Sequence, residues 1–187
     1  MRDQGRRERT PKPFTAERAW NYLLFLLSRR AYTVAELRAR LLRRGLPENE
    51  AEPLLTRLQE LKLVDDAAYA EQYVRSRTQA RGRLVLRREL TRKGVGEELV
   101  ELEMAGLSPA QQADAATELL LKNAWRYHPA PLDTDAASVL SNEQAYERRQ
   151  QLFKARGKAF GFLARRGFGS DAAAQALERV GWFGDDE

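Results

Sequence analysis

The chain has 187 residues and a mass of 21.4 kDa, a length that buries roughly 70% of the unfolded surface and folds without staples. With 32 Lys plus Arg against 27 Asp plus Glu it carries a formal charge of +5 and a pI of about 9.7, which favours an acidic partner, though weakly. The absence of Cys and the presence of a single His argue against disulfides, thiolate metal sites and His-based triads, so no catalytic residue, cofactor or metal is expected.

The longest apolar run, Tyr22 to Leu27, is far too short to span a bilayer, and the charged start MRDQGRRERT has no apolar segment behind it. The expectation is a cytoplasmic chain without membrane contact. Apolar positions recur at three and four rather than two, and Ala, Leu, Arg, Glu and Gln dominate, so the chain reads as all-α. After a basic N-terminal extension, 1–14, a first helix from about Thr15 to Arg29 carries Trp20, Leu23, Leu24 and Leu27 on one stripe. Thr33 with Glu36 then forms a capping box and Tyr32 with Leu37 a hydrophobic staple, opening a second helix that stops at Gly45. A third runs from Pro47 through Leu54, Leu55, Leu58 and Leu61, after which Asp65 and Asp66 offer the next N-cap.

Helices over about 66–79, 83–93 and 96–105 repeat this plan. Ser108-Pro-Ala-Gln111 is another capping box with Pro at the first helical position, and it opens a long connecting helix, 108–127. A proline-containing linker, 128–141, shows no periodicity. Three further helices are expected near 142–155, 158–166 and 171–181. The domain reading is therefore three-helix repeats at 15–65, 66–107 and 142–187, the last with an acidic tail, arranged as an elongated tandem array of about ten helices.

The repeat is visible in the residues themselves. Leu41-Leu-Arg-Arg-Gly-Leu46, Leu90-Thr-Arg-Lys-Gly-Val95 and Leu163-Ala-Arg-Arg-Gly-Phe168 share one form: leucine, any residue, two bases, glycine, an apolar residue. This is a helix C-terminus in which Gly takes the left-handed conformation and the next residue packs back on the leucine. The tenth and thirteenth positions after each glycine are again apolar: Leu55 and Leu58, Met104 and Leu107, Leu177 and Val180.

Charge follows the same period. Residues 74–94 hold eight bases and one acid, and 148–168 hold seven bases and no acid, whereas 95–121 hold six acids and no base. The basic pairs have a structural explanation, since cations in a last turn face the negative end of the helix dipole. Local pairing does not account for eight bases against one acid, so Arg75, Arg77, Arg83, Arg87, Arg88 and Arg92 are read as a binding surface. Arg88 and Arg92 lie opposite Leu86 and Leu90 on the helical wheel and should reach solvent. Arg148, Arg149, Arg165 and Arg166 form a second stretch with the same ambiguity. Trp20, Tyr69, Tyr73, Trp125, Phe160 and Phe168 are expected in the core, and His128 in a loop.

The strings TVAELRARLLRRGL, LVDDAAYAEQYVRSR, RRELTRKGV and LARRGF resemble, in order, the motifs of the RecX family of RecA regulators, over about residues 16–181. The resemblance implies three helical repeats and a non-enzymatic inhibitor that docks along RecA filaments on single-stranded DNA. It would thereby lower ATP hydrolysis, strand exchange and support for self-cleavage of the SOS repressor. On this reading the ten arginines named above meet the filament and DNA phosphate, single- or double-stranded. The alternative is a helix-turn-helix-like module acting directly on nucleic acid. No long heptad seam points to a dimer, so a monomer is expected.

Overall fold

The computed structural model describes residues 14–129 and 141–183. Those residues form ten helices and no strand. Apart from Phe14, the basic extension lies outside them, as do most of the linker and the acidic tail beyond Phe183. The chain divides between Tyr69 and Ala70 into two compact units.

The N-terminal unit is built from α1 (Ala16–Leu27), α2 (Val34–Arg43) and α3 (Glu48–Glu60). Leu23, Leu37, Leu41, Leu46, Leu55 and Leu58 meet in its core, each contributing about 1.5–3 kcal/mol of burial. The Thr33 hydroxyl accepts the Glu36 amide at 3.1 Å, so α2 starts where the cap signal places it. Its first turn has a second acceptor: the Val34 amide donates to the Asp66 carboxylate at 3.0 Å. Asp65 and Asp66 therefore divide their work. Asp65 caps α4 (Asp66–Arg75) by accepting from Ala67 and Ala68, while Asp66 reaches back to α2, where burial raises its pKa against the opposing effect of that amide bond.

All three glycine strings end their helices in the same way. Leu46, Val95 and Phe168 donate their amides to Leu41, Leu90 and Leu163 at 3.2 Å in each case. Gly45, Gly94 and Gly167 donate to the residue three back at 2.9 Å, with φ of +84°, +76° and +89°. This double bond pattern is the Schellman motif. A fourth copy closes α3 with Lys62 in the glycine position: Lys62 has φ +53°, its amide meets the Gln59 carbonyl, and the Leu63 amide meets Leu58, both at 2.9 Å.

In the C-terminal unit, α5 (Arg83–Arg92) packs on α6 (Glu97–Gly106). Helix α4 ends at Arg75, earlier than expected, as the Ser76 hydroxyl takes the Tyr73 carbonyl at 3.1 Å. Tyr73 ties α4 to α5 through its hydroxyl, which donates to Glu89 at 2.9 Å; Arg81 pairs with the same carboxylate.

Three expectations for the C-terminal half need correcting. The segment 108–127 is not one connecting helix: α7 (Pro109–Lys122) ends at Asn123, whose side chain bonds the Leu119 carbonyl at 2.7 Å, and α8 is a single turn, Ala124–Tyr127. Nor is α7 a free connector, since it packs along α10 (Ser170–Val180) and pairs Asp114 with Arg179 at 2.5 Å. Its buried Ala116, Leu119 and Leu120 share a core with Phe162, Leu163 and Leu177. Over 142–166, one helix, α9 (Asn142–Arg165), replaces the expected two, so the described part of 142–187 holds two helices rather than three. Gly157 and Gly161 do not interrupt α9, because a helical glycine costs only about 1 kcal/mol relative to alanine and neither residue adopts positive φ.

The two halves of this unit meet backbone to backbone. The Gly82 amide donates to the Arg166 carbonyl at 2.9 Å and the Leu84 amide to the Gly167 carbonyl at 3.1 Å. A Cβ on Gly82 would overlap the Gly167 carbonyl and the Phe168 amide, and one on Gly167 would sit 2.5 Å from the Val85 nitrogen. Gln112 of α7 completes the joint by accepting the Arg83 amide at 2.8 Å.

Gly167 carries both a left-handed backbone and a close neighbour, whereas Gly181 is left-handed with nothing within 4 Å of its missing Cβ. Gly181→Ala should therefore cost about 1 kcal/mol and Gly167→Ala about 3 kcal/mol or more in urea denaturation followed by circular dichroism. Equal losses would show that the backbone contact is not tight. Lys62→Gly should raise stability by about 0.5–1 kcal/mol, because the left-handed cost to lysine exceeds the added chain entropy of glycine.

Candidate functional site

The structure separates the ten arginines by what each touches. Arg75 pairs with Glu71 at 2.5 Å and lies near Glu103, whose pKa is raised by burial and the Glu71 charge and lowered by Arg75. Arg77 lies over the Tyr73 ring at 3.9 Å and bonds the Ser76 hydroxyl at 2.8 Å. Arg83 holds the Leu107 carbonyl with its guanidinium and Gln112 with its amide. Arg87 grips Glu101 of α6 through both carboxylate oxygens. Four of these six arginines thus have internal partners, two of them, Arg83 and Arg87, through residues distant in sequence.

Arg88 and Arg92 differ. They stand one turn apart on α5, both exposed, with no ion pair among the described residues. Leu86 and Leu90 on the opposite side are fully buried, as the helical wheel requires. These two guanidinium groups are open to a phosphate or carboxylate, which either can meet bidentately.

The second stretch is spread along α9. Docking of Gly82 on Gly167 sets Arg165 and Arg166 beside the first turn of α5, while Arg148 and Arg149 lie about 25 Å away along the helix. Arg166 stacks over Phe162 at 5.4 Å. Arg148, Arg149 and Arg165 have no carboxylate partner among the described residues. The open members of the set therefore fall in two regions, Arg88 with Arg92 on α5 and Arg148, Arg149 and Arg165 along α9, rather than on one continuous face.

Arg148 also borders a concavity between α8 and α9 with Arg126, Lys154 and Lys158. Arg126 carries no signal in the sequence, since the only thing placing it here is the packing of α8 on α9 across the linker. Aromatic exposure also departs from expectation. Tyr73 and Phe168 are buried, but Trp125 is 82% exposed and Phe160 38% exposed, and Tyr146 and Phe153 are open to solvent as well. Tyr146, Phe153 and Phe160 recur every seven residues on α9, a spacing readable in the sequence. No group of three or more potential metal-ligating side chains occurs among the described residues.

Comparison with known proteins places this geometry. Residues 19–58 match the first three-helix domain of RecX and residues 65–102 the second. The chain is 35% identical over 168 residues to the regulatory protein RecX of Mycobacterium sp. strain JLS, covering 89% of this chain and 83% of that one. It is 34% identical over 159 residues to the regulatory protein RecX of Mycolicibacterium smegmatis, covering 84% and 76%. A crystal structure of regulatory protein RecX superposes with a TM-score of 0.64 at 27% identity, covering 87% of this chain and 71% of that one. The RecX of Lactobacillus salivarius shares the fold at a TM-score of 0.68 and 22% identity, over 88% and 96%. With two of the family's domains matched in order and a third or more of the residues shared along most of its length, this chain belongs to the RecX family of regulatory proteins.

Proposed function

We propose that this chain inhibits the RecA recombinase by binding RecA filaments on single-stranded DNA, lowering ATP hydrolysis, strand exchange and SOS co-protease activity. Family membership along most of the chain is the observation that carries the reading. The separation of the arginines supports it and sharpens it. Within the arginine set only Arg75 and Arg87 pair with a carboxylate among the described residues, and the side chains of Arg88, Arg92, Arg148, Arg149, Arg165 and Arg166 have neither a carboxylate nor a carbonyl or hydroxyl partner there. Arg83 and Arg87 contribute to the same contact by holding α5 to α7 and α6, while Arg75 and Arg77 are engaged locally at the end of α4.

A regulator of this kind gains by spreading many weak contacts over several units of a repetitive partner. It acts in the cytoplasm as a monomer, with no cofactor and no chemistry of its own. No helix among the described residues is long and apolar enough to cross a membrane.

The test is RecA ATP hydrolysis on single-stranded DNA, titrated with this protein beside a measurement of its binding to the same DNA alone. Inhibition well below RecA stoichiometry is expected at concentrations that leave the bare DNA unoccupied. Arg88→Glu/Arg92→Glu should weaken inhibition about tenfold or more with an unchanged circular dichroism spectrum, as two open charge contacts of about 1 kcal/mol or more are reversed. Inhibition that tracks coating of the DNA, with a steep loss as salt rises, would instead identify a direct nucleic-acid binder.

A further inference from the structure

Between α8 and the middle of α9 lies a half-open cleft in two adjoining lobes, with cavity volumes of about 290 and 370 Å³. The lobes share Arg126, Tyr127 and Lys158. Each is about the size of the smaller clefts that take small molecules. Arg148 and Lys154 face the first lobe and Arg165 the second, and no carboxylate is among the described residues that line either. None of Arg148, Lys154, Lys158 and Arg165 has an acidic partner among the described residues. This is unlike the α5 segment, whose charges are largely met from within the fold.

Helix geometry explains why the charges converge. Residues 148, 151, 154, 155 and 158 follow one another at three- and four-residue steps, so they share a face over about 15 Å of helix. The wall opposite is fixed. Tyr127 is buried and stacks on Phe162 with ring centroids 4.7 Å apart, and α8 is held to α9 by this contact. Gly157 and Gly161 border the second lobe, and a Cβ on Gly157 would meet nothing within 4 Å. Two glycines inside a helix lower its stability by about 1 kcal/mol each, and here they widen the floor of a cationic cleft.

One phosphate cannot reach cations distributed over about 15 Å. We propose that the α8–α9 cleft binds a run of linked phosphates, as in a nucleoside triphosphate or a short stretch of nucleic-acid backbone, with Arg126, Arg148, Lys154 and Lys158 neutralising it and Gly157 leaving it room. The two sources share this chemistry, and experiment separates them. The assignment goes beyond the RecA reading and is tested without RecA, so either can fail alone.

The experiment is calorimetric titration of the full chain with tripolyphosphate, ATP and oligo(dT) at moderate salt. Lys154→Gln/Lys158→Gln is compared with the charge-matched control Arg29→Gln/Arg43→Gln in the N-terminal unit. Gly157→Leu is the second variant. It fills the second lobe without altering charge, and leucine is a better helix former than glycine, so its effect cannot come from unfolding.

Saturable binding of tripolyphosphate and ATP at one per chain is expected. It should weaken at least tenfold in the lysine variant and at least fivefold in Gly157→Leu, and stay within twofold in the control. Binding of oligo(dT) alone, lost in the same two variants, assigns the phosphates to a nucleic-acid backbone. No saturable binding of any probe overturns the proposal, as does binding that the lysine and glycine variants retain, or that the control loses equally.

Discussion

The contact of Gly82 with Gly167 is the constraint on which the C-terminal unit depends. Two backbone amides at the start of α5 donate to the last carbonyls of the α9 turn, at a separation that no side chain on either glycine permits. Gly167 has two tasks that pull in one direction. Its left-handed φ of +89° ends α9 in a Schellman turn, and its missing Cβ lets Val85 approach. Carbonyls that would otherwise face solvent at a helix end are thereby satisfied by a neighbouring helix start, whose own amides lack partners for the complementary reason. Secondary-structure termination and tertiary docking are here one event, so the positions of α5, α7 and α9 follow from a single turn and the Gln112 bond beside it.

Electrostatics adds a second layer, and net charge describes it poorly. Glu89, the sole acid of residues 74–94, serves both Arg81 and the Tyr73 hydroxyl, while Glu71 and Glu101, from outside that stretch, take Arg75 and Arg87. Within the two basic stretches, Arg88 and Arg92 on α5 and Arg148, Arg149, Lys154, Lys158 and Arg165 on α9 have no acidic partner among the described residues. Two arginines five residues apart, Arg83 and Arg88, lie in the same basic run yet differ in kind, one bonded to a carbonyl and the other open.

Local chemistry was legible in the sequence and long-range partnership was not. The all-helical class, the three glycine turns, the Thr33 cap and the Ser108–Gln111 box follow from signals within six residues, and each has the hydrogen bonds those signals require. Lys62 escaped notice because a lysine in the left-handed position bears no mark in the sequence; only the carbonyls it serves reveal it. The continuity of α9 was missed because Gly157 resembles a stop, although it lacks the positive φ that makes glycine one. The assignment of α7 to a core with α9 and α10 needed contacts across about fifty residues. The same limit applies to the candidate site: exposure of Arg88 and Arg92 and the i,i+4 pairing of Arg75 with Glu71 could be read from a helical wheel, whereas the engagement of Arg83 and Arg87 and the presence of Arg126 at a cleft could not.

Helix α9 has a further property that follows from where its burial lies. Its buried residues, Ala159, Phe162 and Leu163, are confined to the last two turns, while the four turns from Asn142 to Ala155 rest on a capping box at Ser141 and on contacts at the surface. An isolated helix of that length is marginal in water, so these turns open and close locally while the core holds. Amide hydrogen exchange along α9 would thus grade from rapid at its start to globally limited at its end, with Gly157 near the boundary. Arg148, Arg149 and Lys154 stand on the part of the helix that a bound partner would have most to gain by ordering.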